Sequence, residues 1–131
     1  MSFNSQIDKF IKKSKRNPDQ VVKAAFVELS NRIIMRTPIK SGRARGNWFA
    51  AVGSPDFSTS NSTGAAASMA RVTSAVSAGL SGRDFTLYLT NSLPYVYGLE
   101  YYGRSAQAPE GMVRVSVNEY NELLARKVRE L

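Results

Sequence analysis

The chain contains neither cysteine nor histidine. That removes the commonest general base, the commonest metal ligand and every thiolate, and with them the usual nucleophilic triads and zinc centres. Acid–base work would fall to ten carboxylates: Asp8, Asp19, Glu28, Asp56, Asp84, Glu100, Glu110, Glu119, Glu122 and Glu130. They are scattered, and no pair is suggested for glycoside hydrolysis or two-metal chemistry. The loop Ser41-Gly42-Arg43-Ala44-Arg45-Gly46 is basic and has two glycines, so its backbone can approach phosphate closely. It lacks the lysine and the spacing of a P-loop, and nucleotide hydrolysis is not indicated. The expectation is a protein that recognises rather than catalyses, with no cofactor and no metal.

The residues best suited to recognition lie between Asn91 and Gly111, reading NSLPYVYGLEYYGRSAQAPEG. Tyr95, Tyr97, Tyr101 and Tyr102 fall within eight positions, with Glu100 among them. Tyrosine joins an apolar body to a polar tip, which suits either a core edge with satisfied hydroxyls or a protein–protein interface. Glu100, flanked by aromatics beside a turn, is expected to be partly buried. It then needs an arginine or several N–H donors, and Arg43 or Arg45 is the arginine expected to supply the pairing.

The elements that must position these residues follow from periodicity and from end signals. Phe85, Leu87 and Leu89 alternate with Thr86, Tyr88 and Thr90, which predicts a strand over 84–90 ended by Asn91-Ser92. Pro94 then sets a turn or opens a short helix, and Gly103 closes the segment. Asn17-Pro18-Asp19-Gln20 is a helix start: Asn17 caps, Pro18 takes the first position, and Asp19 faces the positive end. Val22, Phe26, Leu29 and Ile33 continue it as a buried stripe to Arg36, where Thr37-Pro38 stops it. Residues 47–52 read as a strand anchored by Trp48, the single tryptophan. Gly53–Gly64, GSPDFSTSNSTG, reads as a mobile loop carrying Phe57, long enough to suggest a partner-facing segment or a surface insertion. Ala65–Ala78 favours helix, closed by Gly79 and turned by Ser81-Gly82. After Pro109 two patterns compete. Residues 112–117 alternate like a strand, yet Val113, Val117, Tyr120, Leu124, Val128 and Leu131 form one helical stripe. Length favours a helix over 111–130, and a shorter helix capped by Ser116 with Glu119 is the variant on the strand reading.

The sum is a single α+β domain: a small antiparallel sheet of 47–52 and 84–90 packed by two or three helices, with a long N-proximal and a long C-terminal helix. Residues 1–16 form a basic arm or short amphipathic helix preceding the domain at 17–131. So few strands leave open sheet edges, which copies of the chain could pair. No apolar run approaches the roughly 20 residues of a membrane span. The beginning of the chain has no hydrophobic signal core, which points to the cytoplasm.

The net charge is +8, and residues 1–45 hold eleven of the eighteen basic and three of the ten acidic residues, the whole excess. Lys12, Lys13, Lys15, Arg16, Arg43 and Arg45 are the candidate contacts for DNA or for an acidic partner. A solvated face is the plainer alternative.

Two segments together resemble a family. Thr37-Pro38-Ile39-Lys40-Ser41-Gly42-Arg43-Ala44-Arg45-Gly46-Asn47-Trp48 is similar to a TP-x-x-(S/T)-G-x-(L/A)-R-x-x-W turn, with Pro38, Gly42, Arg45 and Trp48 at its fixed positions. The later order Thr-Asn, Leu-Pro-Tyr, Leu-Glu-Tyr-Tyr-Gly, Ser, Gln-Ala-Pro, Gly-Met-Val carries Asn91, Pro94, Gly103, Pro109 and Gly111. The pattern resembles tailed-bacteriophage neck and tail-completion proteins, the head–tail joining proteins and relatives of the lambda-type minor tail protein Z. It runs from about Val21 to the C-terminus; Lys40 departs from the acidic residue usual there, and residues 1–16 lie outside it. The resemblance implies a structural virion protein, assembled in the host cytoplasm into a homo-oligomeric ring at the head–tail junction, six-fold ahead of twelve-fold. Its implied partners are the head connector or stopper, the tail terminator or tail tube, and the packaged DNA in the channel, with no membrane. Tyr95, Tyr97, Glu100, Tyr101, Tyr102 and Phe57 would then serve as subunit or partner contacts. The competing reading is a small basic nucleic-acid-binding domain, against which stands the position of the tyrosines in the neutral part of the chain. A host-encoded oligomeric scaffold is a third.

Overall fold

The computed structural model describes residues 3–39, 41–78 and 86–130. The order is helix α1 (Phe3–Ser14), helix α2 (Pro18–Arg36), strand β1 (Trp48–Val52), helix α3 (Ala65–Ala78), strand β2 (Leu87–Asn91), short helix α4 (Val96–Tyr101) and helix α5 (Val113–Glu130). The class is α+β with a two-stranded antiparallel sheet, as the sequence leads one to expect.

α2 begins and ends where its local chemistry dictates. Asn17 Oδ1 accepts from the amides of Asp19 (2.9 Å) and Gln20 (3.3 Å), and Pro18 is the first helical residue. At the other end the Thr37 hydroxyl donates to Ile33 O (2.8 Å), just before Pro38. The competition over 112–117 resolves to helix: α5 runs from Val113, so Ser116 lies inside the first turn, its amide bonded to Met112 O, and caps nothing. β2 begins at Leu87; Thr86 contributes only its carbonyl, to Gly53 N (2.8 Å). The expected strand residues 84 and 85, and the turn residues Gly79, Ser81 and Gly82, lie outside the described residues.

β1 and β2 pair from Trp48 opposite Asn91 to Val52 opposite Leu87. A sheet of two short strands is marginal alone, and this one is held by α3. Where β1 would present an open edge at Trp48, its amide donates to Ser68 Oγ (3.1 Å) and its carbonyl accepts from Arg71 Nη1 (3.0 Å). Trp48 is 4% exposed and anchors the main core with Ile33, Ile34, Val72, Leu93, Val96 and Met112.

A second apolar cluster joins Ile7 of α1 to Ala25 of α2 and to Tyr120 and Leu124 of α5. The apolar face of α1 thus packs on the chain's own helices through Ile7, with Phe3, Phe10 and Ile11 half-buried beside it. Phe3 meets the Tyr120 ring at 5.8 Å, and Lys13 Nζ reaches Val128 O at 3.4 Å, so α1 and α5 run parallel. Arg32 and Arg36 of α2 both pair with Glu119 of α5. Burial pushes the Tyr120 hydroxyl up to about 12, helped by Glu28 beside it. Among the described residues no helix is long and apolar enough to cross a membrane.

Half of the 53–64 loop is pinned rather than free. Asn47, with no exposed surface, donates through Nδ2 to Arg43 O (2.8 Å) and Ser60 O (3.1 Å) and accepts from Ser60 N at Oδ1 (2.8 Å). Arg71 Nη2 donates to the hydroxyls of Ser60 (3.1 Å) and Ser62 (3.4 Å). Gly46 lies so close that a Cβ there would meet Ser62 O at 2.5 Å. Asn47→Ala is therefore expected to lower unfolding stability by about 3 kcal/mol, near 1 kcal/mol for each bond lost. Urea unfolding checks this, and an unchanged midpoint would show that water replaces the amide.

Candidate functional site

The two sequence segments that carry the family-like pattern meet in space through side chain–backbone bonds. The Trp48 indole N–H donates to Thr37 Oγ1 (2.9 Å), closing the first segment on itself. Arg45 donates to Thr37 O (2.9 Å) and Met35 O (2.8 Å), satisfying carbonyls at the end of α2. Asn91 Nδ2 donates to Ala44 O (2.9 Å), and its Oδ1 accepts from Leu93 N (3.2 Å), which ties the end of β2 to the first loop and starts the turn at Pro94. Gln107 clasps Ile39 from both sides, Oε1 accepting from its amide (2.8 Å) and Nε2 donating to its carbonyl (3.0 Å). Pro38 is buried beneath this junction, and Pro109 is exposed beside Gly111.

Glu100 is buried, at 5% exposure, but its partner is not Arg43 or Arg45. Its carboxylate accepts from the amides of Met112 (2.8 Å), Val113 (2.7 Å) and Arg114 (3.1 Å) and from Arg114 Nε (3.0 Å). Those amides are the unpaired donors of the first turn of α5, so a side chain of α4 caps a helix that supplies no acidic residue of its own there. Burial raises the Glu100 carboxyl; the Val113, Met112 and Arg114 amides and the Arg114 guanidinium outweigh it and hold the group below its ordinary value. Gly111 makes the approach feasible: its φ is +89°, and a Cβ there would lie 2.8 Å from the carboxylate.

With Glu100 turned inward, the tyrosines turn outward. Tyr95, Tyr97, Tyr101 and Tyr102 are 45%, 60%, 52% and 62% exposed. Tyr97 lies 4.6 Å from the Tyr101 ring and 5.7 Å from the Tyr102 ring. Arg114 stands over Tyr101 at 4.7 Å and Arg104 over Tyr102 at 5.2 Å. The platform is thus aromatic and cationic, although the sequence around it is neutral. Gly103 follows directly, with φ +59°.

The candidate basic contacts fall in two places. Arg43 is exposed and bonds Ser60 O (3.4 Å), whereas Arg45 is occupied at the end of α2. Lys12, Lys13, Lys15 and Arg16 lie at the end of α1. Because α1 and α5 run parallel, the exposed Arg126, Lys127 and Arg129 of α5 join that end, an addition from the far end of the chain that residue counts by thirds do not reveal. Basic last turns also suit the negative ends of both helices, the purely structural account of the same residues. Among the described residues no group of three or more acidic side chains could hold a metal ion.

Replacing the carboxylate with an amide tests the Glu100 arrangement. Glu100→Gln sets an N–H group against the N–H donors of α5, and the expected loss is about 3 kcal/mol. Since the folded pKa lies below the ordinary 4.5, the carboxylate's stabilisation is complete above that value and is lost as pH falls through the folded pKa. Chemical unfolding at stepped pH should show that acid limb in the native chain and a weaker one in Glu100→Gln. Equal limbs would remove Glu100 as their source.

Comparison with family models, with curated proteins and with solved structures returns no match to this chain, so its role has to be read from its own residues.

Proposed function

We propose that this chain is a structural subunit of a tailed-phage neck, forming a ring at the head–tail junction. The observation that carries the reading is the junction of the two family-like segments. Residues 37–48 and 91–111 interlock through Trp48–Thr37, Asn91–Ala44 and Gln107–Ile39, and leave a tyrosine platform outside. Stability alone does not require four large aromatic side chains in water.

In this reading the chain works by presenting surfaces. The tyrosine platform meets a neighbouring subunit or the next ring, either the head connector or stopper on one side or the tail terminator or tube on the other. Aromatic and arginine side chains are the usual anchors of such contacts. The basic end of α1 and α5 faces packaged DNA or an acidic partner ring. None of these steps needs an acid, a base or a cofactor.

Deleting the gene from the phage or prophage that carries it, with negative-stain microscopy of the lysate, tests the reading. Filled heads beside unattached tails are the expected result for a joining role, and overlong tails for a terminating one. Intact infectious particles would overturn it.

One observation favours a second reading, nucleic-acid binding. Arg104 and Arg114 over the tyrosine rings interleave cations with aromatics, as stacking platforms for single strands do. That reading expects an affinity for oligonucleotides that falls linearly in log–log plots against salt and weakens when Tyr97 and Tyr101 become alanine. Binding that is indifferent to both would exclude it.

A further inference from the structure

Phe57 is the most exposed large apolar side chain among the described residues, at 71%, and it belongs to neither apolar cluster. It does not sit on a loose strap. Asp56 Oδ1 accepts from Ser58 N (2.9 Å) across it, and the loop beyond is bound by Asn47 and Arg71 at Ser60. An aromatic ring held in water on a fixed base is costly to keep and cheap to bind, since little freedom is lost on docking.

The same chain carries a receptacle that Phe57 does not line. Pro38, Ile39, Ala44, Tyr95 and Leu99 line an open groove of about 380 Å³, with Arg104 on its wall. A cavity of about 150 Å³ is enough for benzene, so the groove takes a phenylalanine ring with room for its flanking backbone. The groove is walled by the two interlocked segments, and the Gln107–Ile39 clasp holds its shape. Phe57 is not among the residues that line it; Asp56 beside it lines a separate hollow with Phe49 and Arg71, and the far end of the loop, Gly64, bonds Gly42 at the groove's edge.

The charges match as well as the shapes. Asp56 precedes Phe57 on the projecting loop, and among the described residues the charged one lining the groove is Arg104. We infer that Phe57 of one copy seats in the 38–44/95–107 groove of the next, with Asp56 against Arg104. Knob and groove share no lining residue, and in the inferred contact each copy gives its knob to one neighbour and takes one from another, head to tail. Such a contact repeats until it closes into a ring or continues as a filament. The inference rests on the ring reading for closure, but the pairwise contact stands without it.

The absence of native cysteine makes the test clean. Thr59→Cys marks the loop beside the knob, and Ala106→Cys marks the groove. Both positions are exposed. Mixed under mild oxidation, the two full-length single variants should form a disulfide-linked heterodimer. They should do so at least about tenfold faster than Thr59→Cys joins Glu122→Cys, an exposed control on α5. Adding Phe57→Ser to the Thr59→Cys chain should lower the rate by about tenfold or more, and one chain carrying both cysteines should give a ladder ending in a closed species. A rate no greater than the control, or one indifferent to Phe57→Ser, overturns the proposal. Rings seen for the native chain together with that failure would keep the ring reading and place its contact elsewhere. A ladder from a protein that virions do not require would keep the contact and remove the neck.

Discussion

The carboxylate of Glu100 on the first turn of α5 is the constraint on which the rest of the arrangement depends. A buried ionised group is costly unless its lone pairs are filled, and here three helix amides and a guanidinium fill them. The benefit runs in both directions. α5 gains an anion where its dipole favours one, and α4, with only six residues, gains an anchor it could not make for itself. While Glu100 points inward with Val96 and Gly98, Tyr97 and Tyr101 of α4 point outward. The tyrosine platform is the other side of the same cap.

A similar economy holds the sheet. Two strands of five residues bury too little to be stable alone, and no further strand is added among the described residues. Polar side chains take the place of strands: Ser68 and Arg71 satisfy Trp48 at the outer side of β1, and Asn47 fastens the following loop. Arg71 also lies 3.9 Å from the Phe49 ring, so one guanidinium covers an aromatic face, an edge carbonyl and a loop. Rigid loops on a small scaffold are what recognition surfaces require.

What was legible in the chain followed from chemistry that acts locally. Asn17, Pro18 and Thr37-Pro38 mark both ends of α2 within a residue or two of the groups they satisfy. The start of α5 was less legible because its cap is Glu100, across an intervening loop, and the donors are backbone amides, which every residue carries. The expectation that Glu100 requires an arginine or N–H donors held in kind and failed in partner. Arg114 fills the role where Arg43 or Arg45 was expected, and Arg45 instead serves the carbonyls of α2. Charge counted along the sequence separated the tyrosines from the basic third; folding brought Arg114 onto Tyr101, beside Arg104 already next to Tyr102 in sequence, and Arg126, Lys127 and Arg129 to the basic end of α1. Long-range placement of that kind has no periodicity to read.

The parallel seating of α1 on α5 sets an order of events during synthesis. Lys13 and Val128 are 115 positions apart, so α1 is made well before the helix it packs on. Until α5 is made, Ile7 lacks Tyr120 and Leu124, its partners in the second apolar cluster. Contacts that close so long a loop are late and slow to form. The basic residues at the end of α1 give the waiting helix a charged, solvated end in that interval.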